Sequence, residues 1–168
     1  AAASLALASL SFGAPQAATR RVTSTADSGP GSLRAALADA VDGDTIDVRY
    51  RSRSDRIRLI GIDTPEVYGG AECGGSGASA TMKRLAGKRR VRLVTDPTQD
   101  RRDRYGRLLV YVRVIRGASL QLAILRKGWA KVYVYGGNPF ERVEQLHRAE
   151  DSARAANRGA WSLCGAGF

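Results

Sequence analysis

Arg58-Leu59-Ile60-Gly61-Ile62-Asp63-Thr64-Pro65-Glu66 is the stretch that decides how this chain folds. Ile57 to Ile62 has the composition of a buried strand, and Asp63-Thr64-Pro65 stops it because proline donates no ladder hydrogen bond. Strict strand parity puts Arg58 on one face with Ile60 and Ile62 and sends Asp63 to the other. For Arg58 and Asp63 to serve one site the chain must bend, and Gly61 and Pro65 are the residues that permit a bend or bulge.

Upstream, Asp42-Gly43-Asp44-Thr45 reads as a tight turn into an alternating strand, Ile46 to Tyr50, and Arg51 to Asp55 as a polar connector. Ser32 to Ala40 has helical composition with Ser32 as its cap. Residues 38–42 are nevertheless expected to extend against Ile46 to Val48, because an unpaired edge would expose ladder groups, while Ser32 to about Leu37 stays helical or loose. Downstream come a glycine-rich loop, Gly69 to Gly77, a helix from Ala78 to Ala86 ended by Gly87, and strands Val91 to Val94 and Leu108 to Ile115. A charged loop, Asp96 to Gly106, joins those strands, and a helix, Leu120 to Lys127, follows. Lys131 to Tyr135 is a β-rich run. Phe140, Val143, Leu146, Ala149, Ala153, Ala156 and Ala160 recur at helical spacing and predict one amphipathic helix. Strands set before and between a few helices argue for an α+β fold.

The 168 residues suit one domain. With 27 Lys and Arg against 16 Asp and Glu, a net charge of +11, the chain suits a polyanionic partner. Its single histidine, His147, excludes chemistry that needs a histidine pair or a His-centred metal cluster, and the absence of C-x-x-C excludes a common zinc pattern. Carboxylate, arginine and metal chemistry remain. Ala1 to Ala18 is uncharged and apolar ahead of Thr19-Arg20-Arg21, as in the tail of a secretory signal, with cleavage expected near Ala17 or Ala18. It is too short to span a membrane, so a secreted or periplasmic protein is expected. In an exported chain Cys73 and Cys164 favour one disulfide, with two buried thiols as the alternative.

The nine residues quoted above resemble the thermonuclease (staphylococcal nuclease-like) family. The resemblance extends to Asp42-Gly43-Asp44-Thr45, to Asp103-Arg104-Tyr105-Gly106-Arg107, to Gly128 through Tyr135 and to Arg158-Gly159-Ala160-Trp161, covering roughly residues 42 to 164. It implies a five-stranded OB-type β-barrel with three helices. It also implies a monomeric, calcium-dependent phosphodiesterase acting on DNA and RNA, single-stranded or frayed, and leaving a 5′-hydroxyl and a 3′-phosphate. On this resemblance Asp44, Asp63 and the Thr64 carbonyl match the Ca2+ ligands. Arg58 and Arg107 match the arginines that grip phosphate oxygens, Glu66 the carboxylate that activates or orients water, and Arg104, Tyr105, Tyr133 and Tyr135 positions around the nucleotide.

Elementary chemistry asks for the same residue types. A phosphodiester is anionic and gains charge during attack, so cations must be preplaced, and a planar guanidinium grips two oxygens where lysine cannot. Calcium prefers six to eight oxygen ligands, leaving places for water and phosphate. Taken singly, an Asp before Thr-Pro is a turn residue, an isolated Glu is solvated and a strand Arg is a surface partner; it is their order together that points to function. Tyr133 and Tyr135 read equally well as barrel residues with satisfied hydroxyls, His147 as a partly exposed helix residue, and Trp129 and Trp161 as core. A rival reading is a non-catalytic OB-type module that binds single strands. The organisation expected is a signal remnant at 1–18, a lead segment at 19–40 and a nuclease domain at 41–168. Val22 to Ala40 departs from the family and resembles the opening of right-handed parallel β-helix proteins, a fold one turn cannot sustain.

Overall fold

The structure, a computed structural model, describes residues 36–50 and 53–168. The expected leader, the lead segment up to residue 35 and the beginning of the Ser32 helix lie outside the described residues.

Period-two burial builds the sheet. In β2 (Thr45–Tyr50) Ile46 and Val48 are fully buried, and in β3 (Arg53–Leu59) Ile57 and Leu59 are buried while Arg56 faces solvent. β5 (Arg90–Val94) buries Val91 and Leu93, and β6 (Leu108–Val114) buries Val110 and Val112. Each such aliphatic side chain contributes roughly 1.5–3 kcal/mol by leaving water. β1 (Ala36–Ala40) pairs antiparallel with β2, Ala38 opposite Val48 and Ala40 opposite Ile46, and also with β5, Ala36 opposite Val91. β2 and β3 form an antiparallel hairpin, β3 runs parallel to β6, and β6 pairs antiparallel with β5. The order is thus β1-β2-β3-β6-β5, with β5 returning to β1. A separate pair joins β4 (Ile62–Asp63) to β7 (Lys131–Val132). The class is α+β.

Three expectations about elements are corrected. Ala36 and Leu37, expected helical or loose, are strand: two neighbours offer ladder partners to β1, which outweighs the helical preference of an Ala-Leu-Ala run. Arg53 to Asp55 belongs to β3 rather than to a connector, with Arg49 opposite Ser54 and Tyr50 opposite Arg53. The last amphipathic helix is two, α3 (Val143–Ala155) and α4 (Ala160–Cys164). Asn157 and Gly159 take positive φ between them, and the Ala160 N–H donates to the Gly128 carbonyl at 2.8 Å, so the chain turns to meet an earlier element without losing its apolar spacing. Phe140 precedes α3.

The remaining helices are α1 (Gly75–Ala86), which starts three residues before the expected Ala78, and α2 (Leu120–Arg126). Met82 and Ala86 of α1, Leu120, Ile124 and Leu125 of α2, and Leu146 and Ala149 of α3 complete one core with the strands. Gln121 is fully buried yet satisfied: its Nε2 donates to the Val110 carbonyl and its Oε1 accepts from the Val112 N–H, which docks α2 on β6. Among the described residues no helix is long and apolar enough to cross a membrane.

Candidate active site

The site begins with the Asp42–Thr45 turn. Asp42 Oδ1 accepts the N–H groups of Asp44 (3.0 Å) and Thr45 (2.6 Å), and the Asp44 carbonyl accepts the Leu59 N–H at 2.9 Å, which pins the turn to the end of β3. The Asp44 carboxylate is turned inward and buried. Its Oδ1 accepts from Thr45 Oγ1 (3.1 Å), its Oδ2 from the Thr64 N–H (3.1 Å) and Thr64 Oγ1 (3.2 Å). Burial pushes its carboxyl up to about 6 against the pull of the Arg58 guanidinium, with Asp42 and Asp63 adding to the rise.

Parity demanded a bend after Arg58, and the chain makes it at Ile60-Gly61. Gly61 has φ +79°, and a Cβ there would lie 2.4 Å from the Phe140 ring, so only glycine fits. Arg58 spans the bend. Its Nη1 donates to the Leu59 carbonyl (3.0 Å) and the Ile62 carbonyl (2.6 Å), and its Nη2 contacts Asp63 Oδ1 at 2.9 Å and Asp44 Oδ2 at 3.2 Å. Two carboxylate oxygens on one nitrogen are at most about 6 Å apart. Arg58 is thus committed to the two aspartates rather than standing free as a phosphate fork.

Arg107 enters from the start of β6. Asp103 holds it through the backbone N–H (2.9 Å) and Nε (2.7 Å), and its Nη1 reaches 3.5 Å from Thr45 Oγ1, beside the Asp44 turn. Glu66 is exposed just past Pro65. Its carboxyl is held above the ordinary range, first by partial burial, then by the charges of Asp42 and Asp63, with Arg58 opposing. Glu66 therefore sits in the field of the same cluster.

An aromatic rim flanks these groups. Arg104 Nη2 lies 2.7 Å from the Tyr105 hydroxyl, and the guanidinium groups of Arg104 and Arg107 stand 4.8 and 5.3 Å from the Tyr105 ring centre. Tyr133 and Tyr135 are exposed, with ring centres 6.5 Å apart, and the Tyr133 N–H donates to the Gly61 carbonyl. Neither is a buried barrel residue. His147 is elsewhere, on α3 beside Glu150. Reading the residues missed the roles of Asp42 and Asp103 as backbone anchors; an Asp opening a short Gly-containing turn, with Gly43 next to Asp42 and Gly106 three residues after Asp103, was the available signal.

A hard cation suits this donor set. Asp44 and Asp63 offer only oxygen, the Thr64 carbonyl adds one more, and a buried carboxylate with a raised pKa gains from a neighbouring positive charge. Three protein oxygens fall short of the six to eight that calcium prefers, which would leave the remaining places to water or phosphate.

A family match described as "Staphylococcal nuclease homologue" spans residues 56–163. The chain belongs to the staphylococcal nuclease family. Relatives include the SPbeta prophage-derived endonuclease YokF of Bacillus subtilis, 41% identical over 133 residues that are 77% of this chain and 44% of the relative. Endonuclease YncB of the same organism is 39% identical over 77% of this chain and 62% of its own length. A thermonuclease of Staphylococcus hyicus is 31% identical over 73% of this chain and 72% of its own. The chain thus spans under half of the first Bacillus relative and less than two thirds of the second. As a member of the staphylococcal nuclease family, it carries the Arg58–Glu66 bend inside the matched region and the Asp44 turn just ahead of it.

Proposed function

We propose that the chain is a calcium-dependent nuclease that hydrolyses phosphodiester bonds in DNA and RNA and leaves a 5′-hydroxyl and a 3′-phosphate. The observation that carries this reading is the convergence of Asp44 and Asp63 on Arg58, with Arg107 beside the same turn. Asp44, Asp63 and the Thr64 carbonyl would hold the calcium, which supplies Lewis-acid polarisation of a phosphoryl oxygen. Arg58 and Arg107 place positive charge where the equatorial oxygens gain negative charge during attack. Arg58 exchanges part of its contact with the aspartates for phosphate as the substrate enters. Glu66 accepts a proton from the attacking water, or orients it, and its raised carboxyl suits that task better than a fully ionised acid far below neutral pH.

Arg104, Tyr105, Tyr133 and Tyr135 flank the nucleotide, and their exposed rings offer stacking faces to unpaired bases, hence single-stranded or frayed substrate. The platform in this reading is an OB-type barrel, the protein a monomer, and its workplace outside the cytoplasm, supported by the apolar Ala1 to Ala18 stretch and the Cys73–Cys164 disulfide. The test is incubation of the purified protein with plasmid, single-stranded DNA and RNA, with calcium and then with chelator, followed by analysis of product termini. Cleavage that survives chelation, or 5′-phosphate ends, overturns the calcium or the product assignment; binding without cleavage leaves the non-catalytic module.

A further inference from the structure

Between Glu66 and α1 the chain makes a loop whose contacts converge on one backbone unit. The Glu72 N–H donates to the Glu66 carbonyl at 3.0 Å, and Glu72 Oε2 accepts the Glu66 N–H at 3.0 Å, so both backbone groups of Glu66 are taken by one residue. The Gly75 N–H then donates to the Glu72 carbonyl, and Gly75 lies so close to Glu66 that a Cβ would come 2.4 Å from its carbonyl oxygen. Residues 67–71 contribute no such bond among the described residues, and Gly69 and Gly70 take positive φ. The next residue after Glu72 is Cys73, bonded to Cys164 with Cα atoms 5.9 Å apart. Cys164 ends α4, which is anchored independently through buried Trp161 and the Ala160 bond to Gly128.

We propose that Glu72 is a positioning residue for Glu66 and that the Cys73–Cys164 disulfide locks it, so that turnover depends on this bond being oxidised. This rests on Glu66 acting on the attacking water. A carboxylate that must meet a water within a few tenths of an ångström needs a fixed backbone, and here the loop alone does not supply one. Glu72 supplies the clasp, and the disulfide ties the clasp to an element that does not move with the loop. Cys73 is exposed and Cys164 half-buried, so a small dithiol reaches the bond. Reduction transfers two electrons and two protons: the dithiol closes to its own disulfide and leaves Cys73 and Cys164 as thiols. The bond lies outside the strands and the core, so the folded barrel survives while Glu66 loses its register. A nuclease built this way is competent in an oxidising compartment and slack in a reducing one.

Three measurements test this. Glu72→Ala is expected to lower kcat about ten- to a hundredfold with KM little changed, and to speed hydrogen exchange at the Glu66 amide. Glu72→Gln, which keeps an acceptor oxygen, recovers most of the loss. Dithiothreitol treatment of the wild type lowers kcat by a similar factor with far-UV circular dichroism unchanged, whereas Cys73→Ser/Cys164→Ser starts low and ignores the reagent. Wild-type protein with two titratable thiols and kcat within twofold of the oxidised form overturns the lock, and normal Glu66 protection in Glu72→Ala overturns the clasp. Glu66→Gln separates the two levels: if it is inactive while reduction and Glu72→Ala have no effect, only the positioning idea fails, and if it keeps near-normal turnover, the role of Glu66 fails with it.

Discussion

Asp44 holds a proton in the folded protein up to about pH 6, whereas its ordinary carboxyl value is 3.8, and the cause is burial only partly offset by Arg58. The folded state therefore binds more protons than the unfolded state between those values, and stability falls as pH rises through that window, by on the order of 3 kcal/mol. Asp44→Asn is expected to remove this slope and to melt higher than the wild type at pH 7 in chelator. Calcium is expected to raise the melting temperature of the wild type and not that of the variant. Equal calcium shifts in both proteins count against Asp44 as a ligand. Glu66→Gln is expected to lower turnover by about 10² or more while nucleotide binding persists, measured as kcat and Kd separately. Arg58→Lys also loses activity, because a point charge cannot contact Leu59, Ile62 and both aspartates as the planar fork does; turnover near wild type in that variant defeats the argument.

At the scale of elements, Asp96 joins three of them. It sits just past β5, its Oδ1 accepts from Thr98, and its Oδ2 accepts from the Tyr111 hydroxyl of β6 and from the Glu141 N–H ahead of α3. Its desolvation raises the pKa, but these hydrogen bonds outweigh it and hold the carboxyl below the ordinary range. The stability it provides is thus complete above the ordinary carboxylate value and is lost as pH falls through the lowered one. Asp96→Ala is expected to cost about 2–4 kcal/mol in urea unfolding, since it leaves buried donors unpaired, and a cost under half a kcal/mol defeats this role. Nothing in the residues around Asp96 announced this, because all its partners but Thr98 are distant in sequence. Legibility followed that rule throughout. The bend after Arg58 was readable, since parity required one of any site shared with Asp63 and Gly61 permitted it, and so were the strand Ile46 to Tyr50, from its local alternation, and the strand Leu108 to Ile115, from its local apolar run. The strand at Ala36 and the break before Ala160 were not, because each exists for a partner that only the folded chain provides: β5 in one case, the Gly128 carbonyl in the other. The site's order along the chain pointed to Asp44, Asp63 and Arg107; that Arg58 binds both aspartates depends on rotamers that spacing does not encode.

Over the whole molecule the charge is uneven. Residues 83–116 hold 12 of the 27 Lys and Arg and only 3 of the 16 acidic residues, so this fifth of the sequence, which includes β5, β6 and Arg107, carries most of the net +11. A strand docking there releases counterions, and with about four phosphate contacts its affinity falls at least tenfold between 50 and 200 mM salt. Titrating single-stranded DNA in chelator checks this; a flat salt dependence rejects it.

The parallel pairing of β3 with β6 joins Ile57 to Leu108, about fifty residues apart, and β1 meets β5 over a similar span. Contacts so remote form late, after the loop-closing entropy of the intervening chain has been overcome, and such topologies fold in milliseconds to seconds rather than microseconds. Arg107 reaches the Asp44 turn only through that late pairing. Until that pairing forms, the aspartates lack their second arginine. Recovery of cleavage during refolding is accordingly expected to lag the hairpin signal of β2 and β3 and to coincide with the final, slowest phase.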